Sequence, residues 1–129
     1  MLIARIQELL GNYPQVTHEV AHGFLRIPAQ SPSGFRVWVV ELADEYTVGF
    51  EGWHKEFTDR ESAFNCFVFG LTAACKLKVH RRGGKDYRWQ VFHRVNDMWT
   101  MESDDGLLFF PFWKRREERD LQNDIFPNQ

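Results

Sequence analysis

Three residues in the stretch VTHEVAHGF stand in the spacing H-E-x-x-H: His18, Glu19 and His22. On one turn of a helix, that spacing brings both imidazoles to the same side to share a zinc ion. It also sets the glutamate to act as base toward a metal-bound water. The chemistry would be hydrolysis, and it depends entirely on the helix. Local residues argue against one. Val16, Thr17 and Val20 favour extended backbone, Gly23 falls inside the span, and Pro28 pushes Ile27 away from helical backbone. A helix could still be drawn with Val16, Val20, Phe24 and Leu25 on one side, but the better parse is a hairpin. In it, QVTHEV turns at Ala21-His22-Gly23 into FLRIP and the two histidines lie on different arms. Leu25 stands where an extended zinc motif would carry glycine, and the third histidine of that motif is missing. Glu61 is the one tempting downstream carboxylate, and a capping role accounts for it. No metal is therefore expected, and a zinc-dependent hydrolase using His18, Glu19 and His22 is the alternative.

Other reactive types point to packing rather than chemistry. Cys66 lies among Phe64, Phe67 and Phe69, with no basic sequence neighbour to lower its pKa, and Cys75 is similarly placed. Both are expected to be reduced and packed. No pair of carboxylates stands apart as an acid and base set, and RRGGK lacks the spacing of a phosphate-cradling loop. No cofactor is called for.

Binding signals are stronger. In KLKVHRRGGKDYRW, Lys76, Lys78, Arg81, Arg82, Lys85 and Arg88 face a single acid, Asp86. Alternation puts Lys76, Lys78, His80 and Arg82 on the face opposite Cys75, Leu77 and Val79. Such a face could grip phosphates, dock an acidic protein or simply be solvated. Tyr87 and Trp89 are expected to turn toward the core, which disfavours base stacking and nucleic acid. The compensating acids should lie away from the basic hairpin, notably among residues 96–105. Trp53, His54 and Phe57 in GWHKEF are expected in a loop where a site could be built. GLLFFPFWKRREERD sets a seven-residue apolar run, which includes Trp113, beside Lys114, Arg115 and Arg116. Glu117, Glu118 and Asp120 largely cancel those bases, so a lipid-binding polybasic patch is not expected. The binding candidates are thus Trp53, His54, Phe57, Lys78, Arg81, Arg82, Lys85, Arg88 and Trp113. A further reading is a small-ligand pocket lined by Trp53, Trp89 and Trp99.

These residues need elements to hold them. Leu2, Ile3, Ile6, Leu9 and Leu10 repeat at helical spacing, stopped by Gly11-Asn12 and Pro14. FRVWVVEL is apolar on both faces, as a central strand would be, and YTVGFEG returns from a turn at Ala43-Asp44-Glu45. Thr58 and Glu61 have the spacing of a capping box, opening a strongly apolar helix with Ala63, Phe64, Phe67, Val68 and Leu71 along its stripe. CKLKVHR, YRWQVFHRV, MWTMES and LLFFPFW read as four strands. They are separated by Gly83-Gly84, Asn96-Asp97 and Asp104-Asp105-Gly106, with Pro111 confining the last strand to an edge or marking its end. KRREERDLQN is expected to add a last helical turn or two.

Composition frames the whole. The chain has 129 residues, 43% hydrophobic and 26% charged, with a formal net charge of −2. That balance argues for a folded globular chain, and gives no global pull toward nucleic acid or anionic membrane. Twelve Phe, five Trp and three Tyr make aromatics the unusual component, suited to interfaces and pockets as well as to the core. MLIARIQELL carries Arg5 and Glu8 and reads as neither signal peptide nor membrane span, so a cytoplasmic location is expected.

GWHKEF, NCFVFGL, RRGGKDYRW and GLLFFPFWKRR, spread over residues 52–116, resemble a family of small bacterial proteins of unknown function. The resemblance implies a bacterial source and a strand, not a helix, in the early segment. It brings no catalytic residue with it. The expectation is a single α+β domain over 1–129. An antiparallel sheet should pack against one strongly apolar helix, with a short amino-terminal helix beside it. The first functional reading is a non-enzymatic binding protein, immunity- or chaperone-like, whose partner is a protein with an acidic surface. No membrane partner is expected.

Overall fold

The computed structural model describes residues 1–127 as two helices and nine strands, α+β in class. Helix α1 (Leu2–Leu10) is followed by β1 (Glu19–Ala21), β2 (Phe24–Ile27), β3 (Val37–Leu42), β4 (Glu45–Phe50) and β5 (Trp53–Phe57). Then come α2 (Arg60–Phe69), β6 (Cys75–Arg82), β7 (Lys85–Val95), β8 (Met98–Gly106) and β9 (Arg116–Leu121). The strands form two antiparallel sheets rather than one, in the orders β1-β2-β3-β4-β5 and β8-β7-β6-β9.

Five of the connections are two-residue turns, and their chemistry is local. Ala21 pairs with Phe24 across His22-Gly23, Arg82 with Lys85 across Gly83-Gly84, and Val95 with Met98 across Asn96-Asp97. Gly83 and Gly84 have φ of +58° and +80°, and Asn96 and Asp97 have +51° and +63°. Those are the mirror-image turns whose twist matches that of paired strands, and Gly and Asn-Asp reach them at least cost. Residues 19–27 are thus a hairpin, and the helix that the zinc reading requires does not form.

One cluster of buried apolar side chains runs through both sheets and both helices, with Ile6, Ile27, Val39, Val48, Phe50, Phe67, Leu77 and Val91 among its members. Helix α1 buries Leu2, Ile3, Ile6 and Leu10 as its spacing predicts. Helix α2 is less apolar in its contacts than expected, burying only Ala63 and Phe67 within its span. Its cap is Asp59, not Thr58: the Asp59 carboxylate accepts from Ser62 N at 3.0 Å and Ser62 Oγ at 2.6 Å. Glu61 instead pairs with Arg5 of α1. The tail is stitched in by buried Asn123. It accepts from Phe35 N at 3.1 Å and donates to the carbonyls of Phe35 (3.1 Å) and Gly70 (2.9 Å).

Four further expectations are corrected. GWHKEF is not a loop but strand β5, paired with β4. Asp104-Asp105-Gly106 continues β8 instead of ending it. KRREERDLQN is not helical: Arg116–Leu121 is a strand whose register opposite β6 sets Glu118 against His80 and Asp120 against Lys78. LLFFPFW is not a strand: residues 107–115 form the loop between β8 and β9. Pro111 cannot donate to a ladder, and no neighbouring strand pairs with this segment.

Candidate functional site

The 107–115 loop is the most unusual surface of the molecule. Leu108, Phe109, Phe112 and Trp113 are 90%, 86%, 69% and 71% exposed, four large apolar side chains within six residues. Contiguous exposed apolar surface of this kind marks interaction sites, because burying it against a partner is favourable and leaving it in water is not.

The loop is also firmly held. Phe110 turns inward and stacks on Tyr87, with ring centroids 4.3 Å apart and planes inclined by 14°. Tyr87 is placed for this by a bulge: His80 pairs with Arg88 and Arg81 with Asp86, leaving Tyr87 as the extra residue on β7. Arg82 donates to the carbonyls of Phe112 and Lys114, both at 3.1 Å. Leu107 N donates to Tyr87 O at 2.7 Å, and Gly83 N to Arg115 O at 3.4 Å. A loop fixed at both ends and in the middle presents its aromatic side chains with little conformational entropy left to lose.

Unpaired charge among the described residues flanks the loop in both signs, with Asp105 and Glu117 beside three bases. Among the described residues, Lys85, Lys114 and Arg115 have no carboxylate within ion-pair distance. Lys85 lines a hollow of about 450 Å³ together with Leu108, Phe109, Phe110, Pro111, Phe112 and Trp113.

The remaining bases of the hairpin are consumed. Arg81 pairs with Asp86 at 2.6 Å, Arg88 grips Asp104 through two bonds of 2.8 and 2.5 Å, and Lys78 lies 3.8 Å from Glu118. The grip of Arg88 holds the Asp104 carboxyl below the usual carboxylate range. The acids of residues 96–105 are therefore not segregated from the basic hairpin; Asp104 neutralises part of it. Nor do Lys76, Lys78, His80 and Arg82 share an open face. The ammonium of Lys76 sits over Phe92 at 5.3 Å and Trp99 at 4.6 Å. His80, expected outside, is 3% exposed, its Nε2 2.7 Å from Gln90 Oε1. Sequence alternation could not show that β9 pairs beside β6 and brings Glu118 and Asp120 to this side.

A second candidate lies where the two sheets meet. Trp53, His54 and Phe57 line a cleft of about 620 Å³ between β5, α2 and the β7-β8 pair, with Phe50 and Phe69 beneath and Glu102, Ser103 and Asp105 opposite. Trp53 Nε1 donates to Ser103 Oγ at 2.9 Å, and Ser103 Oγ donates to Asp105 Oδ2 at 3.0 Å. His93 Nδ1 lies 3.5 Å from Glu102 Oε1. Cys66 reaches this cleft as well, and burial pushes its thiol up to about 12, which keeps it protonated and a poor nucleophile at neutral pH. Cys75 is buried, and burial raises its thiol well above the ordinary value as well.

Of the three tryptophans expected around one pocket, two share one: Trp53, which also lines the cleft, and Trp89 border a smaller hollow beside Gly52, while Trp99 lies apart under Lys76 and Arg94. His18 and His22 flank β1, and Glu19 pairs with Arg26 on β2. Among the described residues, no group of three or more His, Cys, Asp and Glu side chains is arranged to hold a metal ion. The structure thus brings Trp53, His54 and Phe57 together at one site, and Arg82, Lys85 and Trp113 at another. Leu108, Phe109 and Phe112 were missed as site residues, although a proline inside a seven-residue apolar run was the available signal. Nothing in sequence pointed to Glu102, Ser103 and Asp105.

Comparison of the chain with family models, with curated protein sequences and with solved structures finds no match in any of the three. No helix among the described residues is long and apolar enough to cross a membrane.

Proposed function

We propose that this chain is a non-enzymatic binding protein. In this reading the aromatic loop, residues 107–115, docks on an acidic surface of a partner protein, in an accessory role of the immunity or chaperone kind. The observation that carries it is the pairing of four exposed large apolar side chains with a scaffold that holds them in place. Aromatic anchors of low entropy supply most of the energy at protein interfaces. Lys85, Lys114 and Arg115, free of intramolecular ion pairs among the described residues, favour a partner of opposite sign and would speed the encounter. An anionic bilayer is less suited, because Glu117, Glu118, Asp86 and Asp105 are close in sequence to the same loop and its neighbours and the chain carries net negative charge. A bacterial, cytoplasmic setting belongs to the same proposal.

The test is a photo-cross-linking amino acid placed at Phe109 in cells of the source organism. The expected product is one dominant adduct with an acidic protein, lost in a Trp113→Ser background and weakened by salt in extracts. Absence of any protein adduct, or a Phe109-dependent association with phosphatidylserine vesicles, would overturn it.

A further inference from the structure

The cleft between β5 and β8 is bounded by two sheet edges that no other strand among the described residues pairs with. There, β5 pairs with β4 alone and β8 with β7 alone. Among the described residues, no backbone group of either strand bonds outside its own sheet. Every second residue of such an edge turns its N–H and C=O outward, which is the template for adding another strand.

The cleft meets β5 edge-on: side chains on opposite faces of a strand alternate, yet His54 and Lys55 both line it. On the other wall Ser103 and Asp105 of β8 line it together with Val91 and His93 of β7, and Glu102 joins them. Glu102 is there because of a bulge: Met101 pairs with Phe92 and Ser103 with Val91, leaving Glu102 as the extra residue. The two walls differ in sign. β5 contributes Lys55, without a carboxylate partner among the described residues, while β8 contributes Glu102 and Asp105, neither paired to Lys or Arg. The floor between them is apolar, built from Phe50, Phe57, Phe69 and Val91. Beyond the Trp53–Ser103 hydrogen bond, a smaller hollow of about 200 Å³ continues to Leu107, where the aromatic loop begins.

We infer that this cleft takes an extended polypeptide segment, which adds a strand to the free edge of β8. It sets an apolar side chain on the aromatic floor, a basic one toward Glu102 and Asp105, and an acidic one toward Lys55. Main-chain bonds to β8 supply affinity, and the side-chain pockets supply selection. The inference deepens the protein-binding reading, but uses none of the residues of the aromatic loop.

The probe is a capped peptide of about six residues, the usual length of a strand, alternating valine with lysine, threonine and glutamate. Its copy N-methylated at alternate positions keeps every side chain and loses the outward amide donors. Titration followed by amide NMR should shift resonances of residues 53–57 and 98–106, with the N-methylated copy binding about tenfold more weakly as its main-chain bonds are lost. Lys55→Glu should weaken the peptide and favour one in which lysine replaces glutamate. Equal binding of the N-methylated copy, shifts confined to other strands, or no shift at millimolar peptide would each overturn the inference. A Phe109→Ala, Trp113→Ala variant should bind the peptide unchanged. The cross-link at position 109 and this titration therefore fail independently.

Discussion

The ring of Tyr87 lies nearly flat on that of Phe110, and this stack joins the β6–β7 hairpin to the middle of the aromatic loop. Stacked pairs of this kind contribute about 0.5–1.5 kcal/mol beyond the area they bury. Phe110→Ala should therefore release the loop with a small loss of global stability, about 1 kcal/mol on that scale. Hydrogen exchange at the Leu107 amide, which donates to Tyr87 O, should speed up, as should proteolysis within residues 107–115. Unchanged exchange at Leu107 would show that Arg82 and the main-chain bonds hold the loop without the stack.

Helix α1 has no side-chain cap of its own, and Glu41 of β3 acts in its place. Its Oε2 accepts from Leu2 N at 2.8 Å and its Oε1 from Ile3 N at 3.2 Å. Two of the four free amides of the first turn are satisfied from a strand 38 residues or more away in sequence. Glu41→Ala should cost about 1 kcal/mol, the usual value of an N-cap, read as a lower urea midpoint at unchanged slope. Glu41→Gln should recover part of that loss.

Gly49 lies under the indole of Trp38, which it faces across β3 and β4. A Cβ at this position would stand 1.9 Å from Trp38 Cε2. The indole is held by its own bond to Glu51 O, 2.9 Å long, so it cannot move without breaking that bond. Gly49→Ala should destabilise by about 1–3 kcal/mol, the range of overpacked sites, and Trp38→Leu should relieve most of the cost. Additive losses in the double variant would contradict a steric cause.

The cysteines give a pH dependence with a definite sign. Burial raises the Cys66 thiol to about 12, from an ordinary value of 9.0. Below pH 9 both folded and unfolded chains hold the proton, and the thiol has no effect on the balance. Between 9 and 12 the unfolded chain releases it and the folded chain does not, so stability falls as pH rises, by roughly 1.4 kcal/mol per pH unit for one thiol. Cys66→Ala should flatten that slope. At neutral pH an aromatic disulfide reagent should react slowly with the native protein, and a reductant should leave its melting temperature unchanged. Rapid labelling of Cys66 in the folded state would overturn this account.

Local chemistry was legible in the residues themselves. Gly83-Gly84 and Asn96-Asp97 favour positive φ wherever they stand, so their turns need no tertiary help. β-formers around His18 and His22 outweighed the zinc spelling, because a motif of side chains has meaning only on the backbone that carries it. The α1 stripe was readable for the same reason: period and burial coincide within one element. Partners distant in sequence were not legible. Whether LLFFPFW became strand or loop depended on a strand to pair with, and the place beside β6 went to β9 instead. That pairing brings Glu118 and Asp120 against Lys78 and sets Glu118 beside His80, which neutralises a face that alternation alone made basic. The cleft between β5 and β8 exists because two sheets meet there, and its acidic wall owes Glu102 to a bulge in the register of β7 and β8. Sequence alone determined the turns at Gly83-Gly84 and Asn96-Asp97, the hairpin at residues 19–27 and helix α1, whose energies are set within a few residues. The tertiary structure decided which charges are free and which aromatic side chains face water, because those depend on contacts between segments far apart in the chain.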